Sequence, residues 1–152
     1  MAALFDTTAA ILLLRRKPPG ETAGLIQAAR VEIANGTALL PAVAISELIV
    51  GEKTAERVQQ LAAALGRLPT VILAVEAAHN AGSMGAFLRL HGATIPFADL
   101  LIASTAVWLD VPLLTWDGDY SRARTIALKS RSTHPGRDLW RRLGLHAASR
   151  TE

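Results

Sequence analysis

Apolar residues along this chain fall into short runs that alternate with longer stretches of helical periodicity. The short runs are apolar on both faces or rich in β-branched residues, which is typical of strands covered on both sides. They lie at residues 2–5, 37–40, 70–75 and 111–115. The longer stretches predict helices at residues 8–14, 21–34, 41–66, 76–90 and 95–109.

This alternation of strand and helix predicts an α/β fold. We expect a three-layer α/β/α arrangement, in which a central, mainly parallel sheet is covered by helices on both faces. The pattern becomes weaker after Tyr120. Residues 125–128 fit either a last strand or an irregular edge, and residues 139–143 fit a short amphipathic helix.

The composition indicates one globular domain, because 51% of the 152 residues are hydrophobic and only 19% are charged. The absence of cysteine excludes disulfides, thiolate catalysis and cysteine-bound zinc or iron. Asp6 interrupts the first apolar run, and the basic residues 15–17 follow that run, whereas the charges of a signal peptide precede it. No apolar run approaches the ~20 residues needed to span a bilayer, so we expect a cytoplasmic protein.

The net charge of +3 hides an uneven distribution. Residues 121–152 contain eight Lys and Arg against two acids, whereas residues 1–120 contain eight against eleven. A basic C-terminal segment indicates either a polyanionic partner or a solvated face.

Asp99 is the most unusual acid, because it lies in a highly apolar helix with no cationic residue close in sequence. Burying an ionised carboxylate without a partner is costly. Asp6 follows the first strand, Asp117 follows the fourth strand, and Glu47 lies early in another helix. Sites in parallel sheets form beyond the carboxyl ends of the strands, where these acids can meet.

Each of these acids also has a simpler interpretation. Asp6 and Asp99 can cap helices, Asp117 and Asp119 can be turn residues, and Glu47 can reach water at an edge. Taken together, clustered carboxylates without basic partners are better explained by a divalent cation with oxygen ligands, Mg²⁺ or Mn²⁺.

Four segments of the sequence resemble the conserved blocks of the PIN-domain ribonucleases, especially the VapC-type toxins of toxin-antitoxin pairs. They are Leu-Phe-Asp-Thr-Thr at residues 4–8, Ser-Glu-Leu-Ile-Val-Gly at 46–51, Ile-Pro-Phe-Ala-Asp-Leu-Leu-Ile-Ala at 95–103 and Leu-Leu-Thr-Trp-Asp-Gly-Asp-Tyr at 113–120. The blocks occur in the family's order. The resemblance assigns a catalytic domain to residues 1–124 and leaves 125–152 as a basic C-terminal segment.

The resemblance implies a metal-dependent endoribonuclease that hydrolyses RNA phosphodiester bonds. Bound Mg²⁺ or Mn²⁺ would generate hydroxide and offset charge in the transition state, so no nucleophilic side chain is required. By position, the resemblance implies a catalytic quartet of Asp6, Glu47, Asp99 and Asp117. It implies metal ligation by Asp6, Asp99 and Asp117, with Asp119 as an accessory ligand. The hydroxyls of Thr8 and Thr115 would orient these acids.

The early helices and the apolar flank at residues 43–50 carry more hydrophobic surface than a small sheet needs, so we expect a homodimer and an antitoxin peptide near the site. Two other functions stay open: a non-catalytic PIN-like module and a phosphatase of the haloacid-dehalogenase type. The latter needs a second acid two residues after Asp6, where Thr8 stands. Trp108 and Trp116 are interpreted as packing residues rather than base-stacking platforms.

Overall fold

A computed structural model of the protein describes residues 2–14 and 23–147. These residues form five strands and eight helices. In chain order they are β1 (Ala3–Phe5), α1 (Thr7–Leu14), α2 (Ala23–Ala34), β2 (Ala38–Pro41), α3 (Ala42–Val50), α4 (Ala55–Leu65), β3 (Thr70–Val71), α5 (Val75–Leu90), α6 (Phe97–Leu109), β4 (Leu113–Thr115), α7 (Gly118–Lys129), α8 (Pro135–Arg142) and β5 (Leu145–Ala147).

The five strands form one parallel sheet in the order β3-β2-β1-β4-β5. β1 lies at its centre, where Leu4 pairs with Leu39 of β2 and with Leu113 of β4. The residues of β1 and β4 are buried, as their continuous apolar sequence predicts. Because all strands run in the same direction, β1 and β4 end side by side at one edge of the sheet. Helices flank the sheet, and the predicted α/β fold is confirmed.

The C-terminal helix α8 packs against α5 through a small residue and a large one. A Cβ on Gly136 would lie 2.0 Å from the carbonyl oxygen of Ser83, so only glycine permits this approach. The indole Nε1–H of the buried Trp140 donates a hydrogen bond to the carbonyl oxygen of Met84 at 3.0 Å. The basic C-terminal segment therefore contributes to the core.

Several predicted boundaries change. The predicted strand at 70–75 is limited to Thr70–Val71, since residues 72 and 73 are exposed apolar positions of a loop. The predicted helix at 41–66 is two helices, because the Thr54 side chain accepts a hydrogen bond from the backbone N–H of Arg57 and starts α4.

Residues 125–128 form neither a strand nor an irregular edge. They belong to α7, and the last strand is β5. The predicted short helix at 139–143 overlaps α8, which ends at Arg142. The start of the predicted helix at 21–34 and the basic residues 15–17 lie outside the described residues. Within the described part of the chain, no helix has the length and apolar character needed to cross a membrane.

Candidate active site

Asp6 follows β1 directly and is held there by three hydrogen bonds. Its carboxylate accepts bonds from the backbone N–H of Ala9 at 2.8 Å, from the Thr8 hydroxyl at 2.8 Å and from the Thr115 hydroxyl. Burial raises the pKa of Asp6, while the hydrogen bonds from Thr115, Ala9 and Thr8 oppose that rise. Asp6 therefore caps α1 and also belongs to a polar cluster at the sheet edge.

The two predicted orienting hydroxyls connect the ends of β1 and β4. Thr8 Oγ1 accepts a hydrogen bond from the backbone N–H of Trp116 at 3.1 Å, and Thr115 Oγ1 accepts one from the backbone N–H of Asp117 at 2.9 Å. Both hydroxyls donate to Asp6 at the same time. The segment after β4 is thereby fixed relative to the Asp6 carboxylate.

Asp99 lies in the first turn of α6 beside the other acids. Its pKa is raised to about 6, first by burial and then by the negative charges of Asp117, Glu47 and Asp6. Among the described residues its carboxylate accepts no backbone N–H, and the N-cap position of α6 is Pro96. Asp99 is therefore not the N-cap of α6, although as an acid of the first turn it lies at the positive end of that helix.

Glu47 is brought to the site by α3. Its carboxylate accepts a hydrogen bond from the Thr7 hydroxyl at 2.7 Å, which ties α3 to the start of α1. Sequence reasoning missed Thr7, although its place between Asp6 and Thr8 is a usable signal. All four predicted catalytic acids thus lie in one neighbourhood, from four separate elements of the chain.

Asp117 and Asp119 have different surroundings. Asp117 is the N-cap of α7, since its side chain accepts a hydrogen bond from the backbone N–H of Asp119 at 2.9 Å. Asp119 forms an ion pair with Arg122. Of the five predicted acids, it is the one whose carboxylate has a cationic partner within the described residues. This partner competes with the accessory metal role that was predicted for Asp119.

Tyr120 is a site residue that the sequence reasoning did not single out. Its side chain is buried, and its hydroxyl forms no hydrogen bond of normal geometry with any described residue. The hydroxyl nevertheless lies close enough to Asp99 to lower the pKa of that carboxyl, and burial followed by the charges of Asp6 and Asp99 raises its own pKa. As the only tyrosine of the chain, placed directly after Asp119, it could have been noticed.

The donor set suits a hard divalent cation, because it consists of carboxylates and hydroxyls without basic partners at Asp6, Glu47, Asp99 and Asp117. The buried Tyr120 hydroxyl, which forms no hydrogen bond of normal geometry with the residues that the structure describes, lies beside Asp99. Within residues 2–14 and 23–147, however, no three His, Asp or Glu side chains are arranged to hold a metal ion. An ion held by three of these carboxylates at once would require them to lie closer together, whereas Mg²⁺ commonly binds through one or two carboxylates and completes its shell with water.

Comparison with known proteins identifies the family. The model of the family described as "PIN domain" matches residues 3–126. This chain belongs to the PIN domain family. No curated protein matches its sequence.

Solved structures of toxin-antitoxin complexes share this PIN fold. VapBC2 from Rickettsia felis, bound to a DNA fragment from its promoter, has a TM-score of 0.70 at 20% identity, and DNA-bound VapBC from Salmonella typhimurium has 0.65 at 20%. VapBC-1 from nontypeable Haemophilus influenzae has a TM-score of 0.67 at 17% identity. Each of these matches covers 97% of this chain and 98% of the other. PIN domains are nucleases, so family membership supports a hydrolase that acts on phosphodiester bonds.

Trp108 and Trp116 are not core residues. Their side chains are 41% and 38% exposed, and neither belongs to the hydrophobic core formed by the described residues. Most of each side chain is nevertheless covered, which fits packing at the edge of the fold rather than in the core.

Proposed function

We propose that this PIN-domain protein is a metal-dependent endoribonuclease and the toxin of a toxin-antitoxin pair. The observation that carries the proposal is the meeting of four acids from separate elements, without basic partners among the described residues, at the carboxyl edge of a parallel sheet. A purely structural role does not explain such mutual repulsion.

Asp6, Asp99 and Asp117 would hold Mg²⁺ or Mn²⁺, with Asp119 as an accessory ligand only after it leaves Arg122. The ion would supply a hydroxide near neutral pH and offset negative charge on the phosphate. Thr8 and Thr115 orient the Asp6 carboxylate through their hydroxyls. Glu47, whose carboxylate accepts a hydrogen bond from the Thr7 hydroxyl, would accept a proton from the attacking water.

A phosphatase of the haloacid-dehalogenase type is a poorer fit to the geometry. The position of its second acid is occupied by Thr8, whose hydroxyl is bound to the Asp6 carboxylate. The other alternative is a non-catalytic PIN-like module. Measurements of RNA cleavage distinguish this module from a ribonuclease.

The direct test is cleavage of a looped RNA with Mn²⁺, with Mg²⁺ and with excess EDTA. We expect cleavage with either metal, none in EDTA, and none from Asp99→Asn. Asp138→Asn is the matched control, because Asp138 is an exposed acid in the first turn of α8. Full activity in EDTA would refute the metal mechanism. Hydrolysis of a small phosphate ester in preference to RNA would favour a phosphatase instead.

RNA binding is proposed to use the basic C-terminal part of the chain. Arg141 and Arg142 at the end of α8 are exposed and free to meet phosphates. Because α8 carries the buried Trp140, replacing charges is a better test than truncation. With both arginines changed to Gln, the slope of log affinity against log salt should decrease by about 1 to 2. An unchanged slope would indicate that Arg141 and Arg142 form a solvated face that does not contact RNA.

The antitoxin is proposed to dock in a cavity of about 300 Å³ between α1, α3 and α4. Its lining combines apolar side chains, including Ile11, Leu48 and Leu61, with the Glu47 carboxylate and the ion pair of Glu52 with Arg57. This chemistry suits a segment that presents apolar residues and one basic side chain near the acids. Leu61→Gln, which puts no new charge beside Glu47, should weaken capture of an antitoxin encoded next to this gene and leave RNA cleavage intact, and unchanged capture would exclude this cavity.

A homodimer is proposed because apolar residues remain exposed on α2 and α3, including Val31, Ile33 and Val50. Light scattering should give twice the monomer mass at micromolar concentration. A monomer at every concentration tested would contradict the proposal.

A further inference from the structure

The aromatic residues of the chain divide into a buried and an exposed set. Phe5, Phe87, Tyr120 and Trp140 are fully buried, whereas Phe97, Trp108 and Trp116 are exposed. Among the exposed ones, Trp116 lies directly between Thr115 and Asp117, two residues of the acidic site. Trp108 lies near the opposite end of α6 from Asp99, more than two helical turns away.

The backbone of Trp116 is fixed by the same hydrogen bonds that hold the acids. Its N–H donates to Thr8 Oγ1, which itself donates to Asp6. The preceding hydroxyl of Thr115 contacts both Asp6 and the backbone of Asp117. The indole is therefore attached to a fixed backbone at the edge of the site, so binding a ligand there requires little ordering of the protein backbone.

An acidic site has a particular difficulty with RNA, because its carboxylates repel the phosphates that it must bring close. Stacking of a base on an aromatic ring adds affinity without depending on charge, and every base has a face that can stack. The faces of bases inside a duplex are covered by their neighbours, whereas unpaired bases can be splayed out onto a protein ring. The exposed indole of Trp116, one residue before Asp117, can supply this charge-independent affinity for RNA.

We propose that Trp116 stacks on an unpaired base beside the scissile phosphodiester of the RNA. The proposal rests on the ribonuclease function proposed above and adds a specificity-determining residue to it. Since the stack would form with substrate and transition state alike, its loss should raise KM and leave kcat nearly unchanged.

The experiment compares cleavage of a single-stranded oligoribonucleotide by the parent, Trp116→Ala, Trp116→Phe and Trp108→Ala, all with Mn²⁺. We expect KM to rise about 5- to 160-fold for Trp116→Ala, which corresponds to the ~1 to 3 kcal/mol that one stacked base contributes. Trp116→Phe should recover most of the affinity. Trp108→Ala, which removes a similarly exposed tryptophan, should behave as the parent.

A second measurement locates the base. Oligonucleotides with one abasic nucleotide at successive positions should show one position where the parent loses affinity and Trp116→Ala loses none, because the two changes remove the same contact. Abasic sensitivity that persists in Trp116→Ala would overturn the proposal, as would an unchanged KM for this variant or an equal rise for Trp108→Ala. If Trp116→Ala weakened only antitoxin binding, the residue would be a protein contact and the proposal would fail.

Fluorescence separates this proposal from the ribonuclease function. Titration of the protein in EDTA with the same oligonucleotide should quench tryptophan emission in the parent and in Trp108→Ala, and should fail to do so in Trp116→Phe. If the parent cleaves no RNA, the proposed function is wrong, yet this quenching would still support stacking at Trp116. If the parent cleaves RNA and shows no such quenching, the function stands and the stacking proposal falls.

Discussion

Replacing the charge of Asp99 should stabilise the metal-free protein. The pKa of this carboxyl is raised from 3.8 to about 6, by burial and by the charges of Asp117, Glu47 and Asp6. A difference of this size corresponds to at most roughly 3 kcal/mol, and screening of a half-exposed group reduces it to about 1 kcal/mol. For a chain of this size, Asp99→Asn should therefore melt about 2 to 4 °C higher than the parent in EDTA at pH 7.5.

The pH dependence has a defined sign. Because the folded-state pKa of Asp99 is raised, the protonated carboxyl costs the fold nothing below about pH 4, and stability is lost as pH rises through about 6. The advantage of Asp99→Asn over the parent should be largest above pH 7 and should disappear near pH 4. Melting temperatures of the two proteins across this range, always in EDTA, measure it.

Metal should reverse the order of stability. Mn²⁺ at about 100 times its dissociation constant stabilises a native state that alone binds it by about 2.7 kcal/mol, or roughly 5 to 10 °C here. Asp99→Asn should lose most of this gain. The control Asp138→Asn should melt slightly lower in EDTA, since it removes an acid from a first helical turn, and should keep the full gain. An Asp99→Asn protein that melts lower in EDTA and retains the parent's response to Mn²⁺ would refute the reasoning.

Three further predictions follow from other contacts. Tyr120→Phe should raise the pKa of Asp99 in an NMR titration, because the Tyr120 hydroxyl lowers the pKa of that carboxyl, and the linked loss of stability should appear above pH 7 and disappear near pH 4. Thr115→Val should cost about 1 to 3 kcal/mol in urea unfolding by leaving Asp6 and the Asp117 N–H without their partner, whereas Thr115→Ser should cost less than half of that. Gly136→Ala should destabilise by about 1 to 3 kcal/mol, whereas Gly82→Ala, whose Cβ meets nothing within 4 Å, should stabilise α5 by about 0.5 to 1 kcal/mol in the same assay.

Much of the fold could be predicted from the sequence, because it depends on local signals. Continuous apolar runs at β1 and β4 predict buried parallel strands, and Pro96 marks the start of α6 to within a residue. The C-terminal part was harder to predict, since residues 125–128 have β-branched and apolar character that suits a strand locally. Packing of α7 through Ala123 and Ala127 overrides that preference.

The acids of the site could be predicted because strand ends and helix starts are visible in sequence. The contacts of Thr7, Tyr120 and Arg122 could not be predicted, because they depend on distances between side chains that sequence separation does not determine. The exposure of Trp116 was likewise invisible, because an indole beside a strand is ordinarily a packing residue.

The central position of β1 has a consequence for synthesis of the protein. Asp6 receives a hydrogen bond from Thr115, a residue 109 positions later in the chain. At translation rates of about 5 to 20 residues per second, Thr115 is synthesised roughly 5 to 20 s after Asp6. During this interval the first strand has no neighbour on one of its edges, which exposes an apolar nascent segment to chaperones. The acidic cluster is assembled only when most of the chain has left the ribosome, so a truncated translation product carries an incomplete site.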